Sequence, residues 1–200
     1  MSKRIDRVIS IFREHNGIMR TQEAIDAGIY SSTLSLLCTK GILEKISRGL
    51  YRLIEESLPA NPDFVSVSRK VPGGVICLIS ALSFYELTLQ IPHEVYIALH
   101  RGARKPKLDY PPVRVFTFIG DAFSEGVETK YIDKIPVKIY CIEKTIADTF
   151  KFRNKIGLDT ATEALRAYIE RKDKDLDKLM YYADVCRVSR VIRPYIEALI

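Results

Sequence analysis

The feature that most constrains this chain is the punctuation of its first 54 residues, where short apolar stripes of helical period alternate with glycine turns and then give way to strand-like runs. Ile5, Val8, Ile9 and Phe12 stand at i, i+3, i+4 and i+7, which predicts an amphipathic helix over residues 5–15 that Asn16-Gly17 ends. Thr21 opens a second short helix with Ala24, Ile25 and Ala27 behind it, and Gly28 closes it at a left-handed position. A third helix starts at once, with Ser31 or Ser32 as its cap. In it Leu34, Leu37 and Cys38 point inward, while Ser32, Thr33, Ser35, Leu36 and Thr39 lie off that face. Lys40-Gly41 ends this helix, and residues 42–46 and 50–54 read as two strands of a hairpin turning at Ser47-Arg48-Gly49. Three short helices before a basic-tipped hairpin is the order of a winged helix-turn-helix, whose third helix enters the major groove of duplex DNA.

Beyond this module the pattern breaks at Pro59 and Pro62, which predicts a linker over residues 57–62 and a division of the chain into 1–58 and 59–200. Short helices are expected over 64–70 and 80–87. Strand-like runs rich in β-branched and aromatic residues follow at 95–99, 113–119 and 137–140. From Ile142 the helical period returns, with stripes through Ala161, Ala164, Leu165 and Tyr168, through Leu176, Leu179, Met180 and Ala183, and through Val188, Val191, Ile192 and Tyr195. The fold class expected is therefore α+β: a winged helix-turn-helix followed by an α+β domain with strands first and a helical end.

Charge agrees with a polyanionic partner. The chain carries 31 Lys and Arg against 25 Asp and Glu, and residues 1–54 hold nine of the bases and five of the acids, a net of +4. On the third helix the candidate DNA contacts are Ser31, Ser32, Thr33, Ser35 and Thr39, with Lys40 at its end, since hydroxyls can bond base edges and phosphates alike. The residues between Ser31 and Thr39 include no Arg or Asn, the side chains that make bidentate base contacts, so phosphates are expected to carry much of the affinity. Arg48 and Arg52 flank the hairpin turn and, with Lys45, Arg20 and Thr21, complete the candidate set for tracking the backbone. Ordinary surface charge on an edge strand is the plainer alternative for the hairpin arginines.

Two further clusters are candidates for auxiliary DNA or partner contacts. Arg101, Arg104, Lys105 and Lys107 share a loop in which residues 101–108 contain no acid. Lys144, Asp148 and Lys151 stand at i, i+4 and i+7 on one helix face beside Arg153 and Lys155, and Lys144 with Asp148 is most simply a solvated ion pair. The chain holds no phosphate-binding glycine loop, no zinc-protease helix motif and no nucleophile elbow. His15, His93 and His100 share no metal-ligand spacing, and the four cysteines form no C-x-x-C pair, so neither cofactor nor metal is expected and the thiols read as reduced core residues. With the longest apolar region, 75–89, interrupted by Ser80, Ser83 and Glu86, a cytoplasmic protein without a membrane span is expected.

Several of these stretches resemble a known family. Asp6-Arg7-Val8, Gly17-Ile18-Met19-Arg20-Thr21, Ala27-Gly28-Ile29 and Ser47-Arg48-Gly49-Leu50-Tyr51 resemble the winged-helix domain of AbiEi-type antitoxins, transcriptional regulators of type IV, abortive-infection toxin-antitoxin systems. Residues 142–148 and 151–159 resemble the second domain of the same family. The resemblance implies a repressor that binds double-stranded DNA at its own promoter. It also implies a second domain that counters a nucleotidyltransferase-like toxin without a stable complex, in phage defence. Family members often carry Tyr and Arg in the third helix, where this chain has Ser35, Leu36 and Thr39. Two other readings stay open: a protein-interaction module antagonising a toxin without DNA binding, suggested by Leu36, and an enzyme acting on nucleotides through Lys144, Asp148, Lys151 and Lys155.

Overall fold

Helices of six to thirteen residues that each carry one apolar face gain stability only by burying those faces together. The computed structural model describes residues 2–54, 61–132 and 134–200, so residues 57–60 of the linker expected over 57–62 lie outside the described residues. Contacts divide the chain into one unit of Met1–Lys70 with Tyr131–Pro136 and another of Val71–Lys130 with Val137–Ile200, whereas the sequence reading put the division at 58/59.

The first unit runs α1 (Ser2–Glu14), β1 (Ile18–Arg20), α2 (Thr21–Asp26), α3 (Ser31–Thr39), β2 (Leu43–Ser47), β3 (Leu50–Leu53) and α4 (Pro62–Lys70). Its core joins Val8 and Phe12 of α1 to Met19, Ala24, Ile29, Leu34, Leu37, Leu43 and Leu53. Gly28, at φ +81°, turns the chain between α2 and α3 in the left-handed region, where a side chain would be strained. The amides of Gly28 and Ile29 donate to Ile25 and Ala24, so the carbonyls that end α2 are satisfied. The sheet is antiparallel with order β1-β3-β2, which makes β3 the central strand. The sequence reading left Ile18-Met19-Arg20 unassigned, and this third strand is the main local difference. Helix α4 is tied to the rest of the unit by Arg69, whose Nη1 lies 3.1 Å from Oε1 of Glu23.

Apart from residues 131–136 at the β7–β8 end, which group with the first unit, the second unit holds a five-stranded sheet in the order β6-β5-β4-β8-β7. The strands are β4 (Val75–Ile76), β5 (Val95–His100), β6 (Val113–Phe118), β7 (Val127–Ile132) and β8 (Ile135–Tyr140), with α5 (Leu78–Phe84) and α6 (Asp121–Ser124) interleaved. Strand β5 pairs antiparallel with β4 and parallel with β6, and its first five residues are all buried, as expected for the unbroken apolar run Val95-Tyr96-Ile97-Ala98-Leu99. After Tyr140 come only helices: α7 (Ile142–Lys151), α8 (Arg153–Ile156), α9 (Leu158–Ile169), α10 (Leu176–Val185) and α11 (Ser189–Glu197). Helix α7 is contacted by α5, α8, α9, α10 and α11, which leaves it little solvent. The fold is mixed α+β.

Candidate nucleic-acid interface

Helix α3 is built to show one polar face. Leu34 and Leu37 are fully buried, and Ser31, Ser32, Ser35, Leu36 and Thr39 are exposed, with Thr33 half-buried between the two sets. The expected serine cap is not formed: the helix already includes Ser31, and Tyr30 holds the N-cap position in extended backbone without a side-chain cap bond. Ser35 Oγ donates to the carbonyl of Ser31 at 3.2 Å, and Thr39 Oγ1 donates to that of Ser35 at 3.1 Å. Both hydroxyl protons are thus spent on the helix itself, which leaves the oxygens to outside groups as acceptors. Lys40, just beyond the helix, is exposed.

The hairpin after α3 turns through Arg48 and Gly49, flanked by the pair Ser47 and Leu50. Lys45 and Arg48 are exposed. The carbonyl of Gly49 accepts from the amide of Thr21 at 3.0 Å, and the amide of Arg20 donates to Oε2 of Glu23 at 2.8 Å, so the hairpin tip and the start of α2 are fixed to one another. Arg20 and Thr21 are accordingly half-buried rather than free on the surface.

Arg52 departs from expectation. Expected to track the DNA backbone, with plain surface charge on an edge strand as the alternative, it lies instead on the central strand: β1 covers the far side of β3, pairing Ile18 with Arg52, while Glu44 faces Arg52 from β2. The residue is only 9% exposed and forms an ion pair with Glu44. A guanidinium held this way supports the sheet. Tyr51 packs on the core of the unit. Tyr30, 66% exposed immediately before α3, is the residue the sequence reading passed over; the alternation of a buried Ile29 with an outward Tyr30 is the signal that marks it.

Residues 6–54 match the family model described as a transcriptional regulator, the AbiEi antitoxin. The match covers α1 from Asp6 and ends just past β3. No curated protein sequence matches the chain. Among solved structures, the crystal structure of the RV2827C protein from Mycobacterium tuberculosis superposes with a TM-score of 0.55 at 14% identity, covering 95% of this chain and 79% of that one. At that identity the likeness is one of fold.

The second unit distributes its candidate residues differently. Lys144 and Asp148, expected as a solvated pair, have no exposed side-chain surface at all, with Nζ 2.5 Å from Oδ2. The ammonium also stands 4.1 Å from the centre of the Tyr140 ring and 4.9 Å from that of Phe118. Asp148 receives a second bond from Cys186, whose Sγ lies 3.2 Å from Oδ1. Burial raises the Asp148 carboxyl above its ordinary value, with Lys144 opposing the shift. Burial, assisted by the Asp148 charge, likewise pushes the Cys186 thiol up to about 12. The reason for the correction is position: α7 lies under five other helices, so an i, i+4 pair that solvates on an outer helix is enclosed here. Cys77 is fully buried, and burial raises its thiol well above the usual value, as suits a core thiol.

Along the same face exposure grows with distance from this pair. Lys151 is half-buried with Nζ 5.6 Å from the Phe118 ring centre, and Lys155 is exposed, 5.7 Å from that of Phe152. Arg153 donates to the carbonyl of Phe150 at 2.8 Å. Arg101, Arg104, Lys105 and Lys107 are all exposed on the loop after β5, which the Arg101 amide anchors by donating to Phe118 at 2.8 Å. Among the described residues no group of three or more His, Cys, Asp or Glu could hold a metal ion, and no helix is long and apolar enough to cross a membrane.

Proposed function

We propose that the chain is a DNA-binding autorepressor and antitoxin. In this reading the first unit is a winged helix-turn-helix, α3 enters the major groove at the chain's own promoter and the β2–β3 hairpin is the wing on the phosphate backbone. The observation that carries it is the exposed face of α3, hydroxyl-lined and free of acids, next in sequence to the exposed cations Lys40, Lys45 and Arg48, within the region that matches a family of transcriptional regulators. The division of labour gives DNA to the amino-terminal module, residues 1–58. Antagonism of a nucleotidyltransferase-like toxin, without a stable complex, falls to residues 59–200. There the exposed cations Arg101, Arg104, Lys105, Lys107 and Lys155 are the auxiliary contacts.

The test is a titration of the full chain with duplex DNA from upstream of its own reading frame at two salt concentrations. Affinity should fall as salt rises, because the basic contacts are to phosphates. Arg48→Ala should weaken binding across sequences and flatten the salt slope by about one unit. Absence of binding, or binding indifferent to salt, overturns the reading.

A second reading, an interaction module that no longer binds DNA, is favoured by one observation, Leu36 standing 52% exposed in the middle of α3. Co-expression with a nucleotidyltransferase-like toxin, if its gene neighbours that of the chain, separates the two. If Arg48→Ala abolishes repression and leaves rescue intact, DNA binding and antagonism are distinct activities. If nothing binds DNA while rescue persists, the second reading stands.

A further inference from the structure

The face of α3 turned from the core is a single stripe, Ser32, Ser35, Leu36 and Thr39 at i, i+3, i+4 and i+7, with Leu36 in its middle. Resting on the DNA-binding reading above, we infer that Leu36 reads the C5-methyl group of thymine in the major groove. The operator preference then lies in thymine-bearing steps rather than in guanine.

Strong readout of guanine needs Arg or Lys, and strong readout of adenine needs Asn or Gln; none of the four occurs from Ser31 to Thr39. The hydroxyl protons of Ser35 and Thr39 go to carbonyls of the helix itself. Those two side chains therefore present oxygen lone pairs, which suit the exocyclic amino groups of adenine and cytosine and distinguish them poorly. The only apolar feature on a major-groove base edge is the thymine methyl, and the only large apolar group on this stripe is Leu36. A leucine 52% exposed is hydrated in the free protein, and its transfer onto a methyl group removes apolar surface from water on both sides. Charge complementarity selects duplex DNA as the occupant. Lys40, Lys45 and Arg48 are exposed, while Glu44, the one acid from Ser31 to Leu53, is engaged by Arg52.

The experiment compares two duplexes of the same upstream sequence, one made with thymine and one with uracil at every thymine position. Binding of the full chain is followed by fluorescence anisotropy. The uracil duplex should bind more weakly, by about fourfold for each methyl group that Leu36 covers. Leu36→Ala should bind both duplexes equally, while Leu36→Met keeps the difference. Because Leu36 lies off the core, the melting temperature of both variants should match that of the wild type. Equal affinity of the wild-type chain for the two duplexes overturns the inference and leaves the DNA-binding reading intact. So does a Leu36→Ala variant that retains the difference; if sedimentation shows its oligomeric state altered as well, the leucine belongs to a contact between copies. No binding to either duplex overturns the DNA-binding reading and this inference with it.

Discussion

Helices α3 and α7 are nearly equal in length and both present serine, threonine or charged residues at helical spacing, yet they use those residues oppositely. Helix α3 has two fully buried positions, Leu34 and Leu37, and leaves the rest to solvent or half-buried. Helix α7 buries eight consecutive residues from Glu143 to Phe150, including Lys144, Thr145, Asp148 and Thr149. Every polar group in α7 then needs an internal partner: Thr145 donates to Tyr140, Thr149 to Ile146, Tyr168 to Glu143, and Lys144 to Asp148. In α3 the back-bonded hydroxyls satisfy a local need and water can supply the rest. A polar residue on a helix is thus a candidate contact only where neighbouring elements leave its face open, a property of packing that spacing does not encode.

The sharpest way to break this comparison is to remove one partner from each helix. Asp148→Ala leaves Lys144 charged and enclosed, and should cost about 3–5 kcal/mol of stability. The double change of Lys144→Met with Asp148→Leu should recover much of that loss. Ser35→Ala on α3 should shift stability by less than about 0.5 kcal/mol. Denaturant unfolding of the three variants measures all of this. A small cost for Asp148→Ala would mean that α7 is as open as α3.

Gly126 supplies the next largest effect. At φ +74° a Cβ there would come within 2.7 Å of the Lys144 Cβ, and both Lys144 and its backbone are held on α7. Gly126→Ala should therefore destabilise the second unit by about 1–3 kcal/mol, read as a lowered melting temperature. Within the first unit, Arg52→Ala should cost about 1–2 kcal/mol through the lost charged hydrogen bond to Glu44, with DNA affinity unchanged. If affinity falls instead as it does for Arg48→Ala, Arg52 belongs to the interface after all.

The smallest effect is a pH dependence. The folded Asp148 carboxyl is raised above its unfolded value, by burial first, against the attraction of Lys144. Between the unfolded and folded values the native state therefore binds more protons than the unfolded chain, so stability contributed by this residue declines as pH rises through that interval. The wild-type chain should gain on an Asp148→Asn variant when pH is lowered from about 7 towards about 4. Urea titrations across that range check the sign; a wild type that loses ground instead would mean that the attraction of Lys144 outweighs burial.

Much of the first unit was legible because its signals are local. Stripes at helical spacing and the turns at Gly17, Gly28, Gly41 and Gly49 locate α1, α2, α3 and the hairpin to within a few residues. Strand β1 was not legible: Ile18 and Met19 are both buried, so the three residues show no alternation, and their strand character comes from pairing with β3 across thirty residues of sequence. The burial of Arg52 is hidden by that single omission, since an arginine on an edge strand and one on a central strand look alike in sequence. In the second unit the β-branched runs located β5, β6 and β8, while β4, two residues long, and β7, with Glu128, Thr129 and Lys130 in its middle, carried too weak a pattern. For α7 a usable clue lay beside the charged pair. Thr145, Ile146, Ala147, Thr149 and Phe150 surround Asp148 with residues that suit an interior, and a solvated helix face would not require them all.

The bond from Cys186 to Asp148 spans 38 residues of sequence, and this separation bears on how the protein is made. A ribosome adding about 5–20 residues per second delivers Asp148 about 2–8 seconds before the Cys186 thiol that follows helix α10. For that time the nascent α7 has α5, and then α8 and α9, to pack against, but lacks α10, α11 and the thiol that bonds Asp148. The sheet can assemble early, but its layer of helices closes only when synthesis has passed Cys186, so the interval between those two residues is the period in which a chaperone or a protease would meet this chain unfinished.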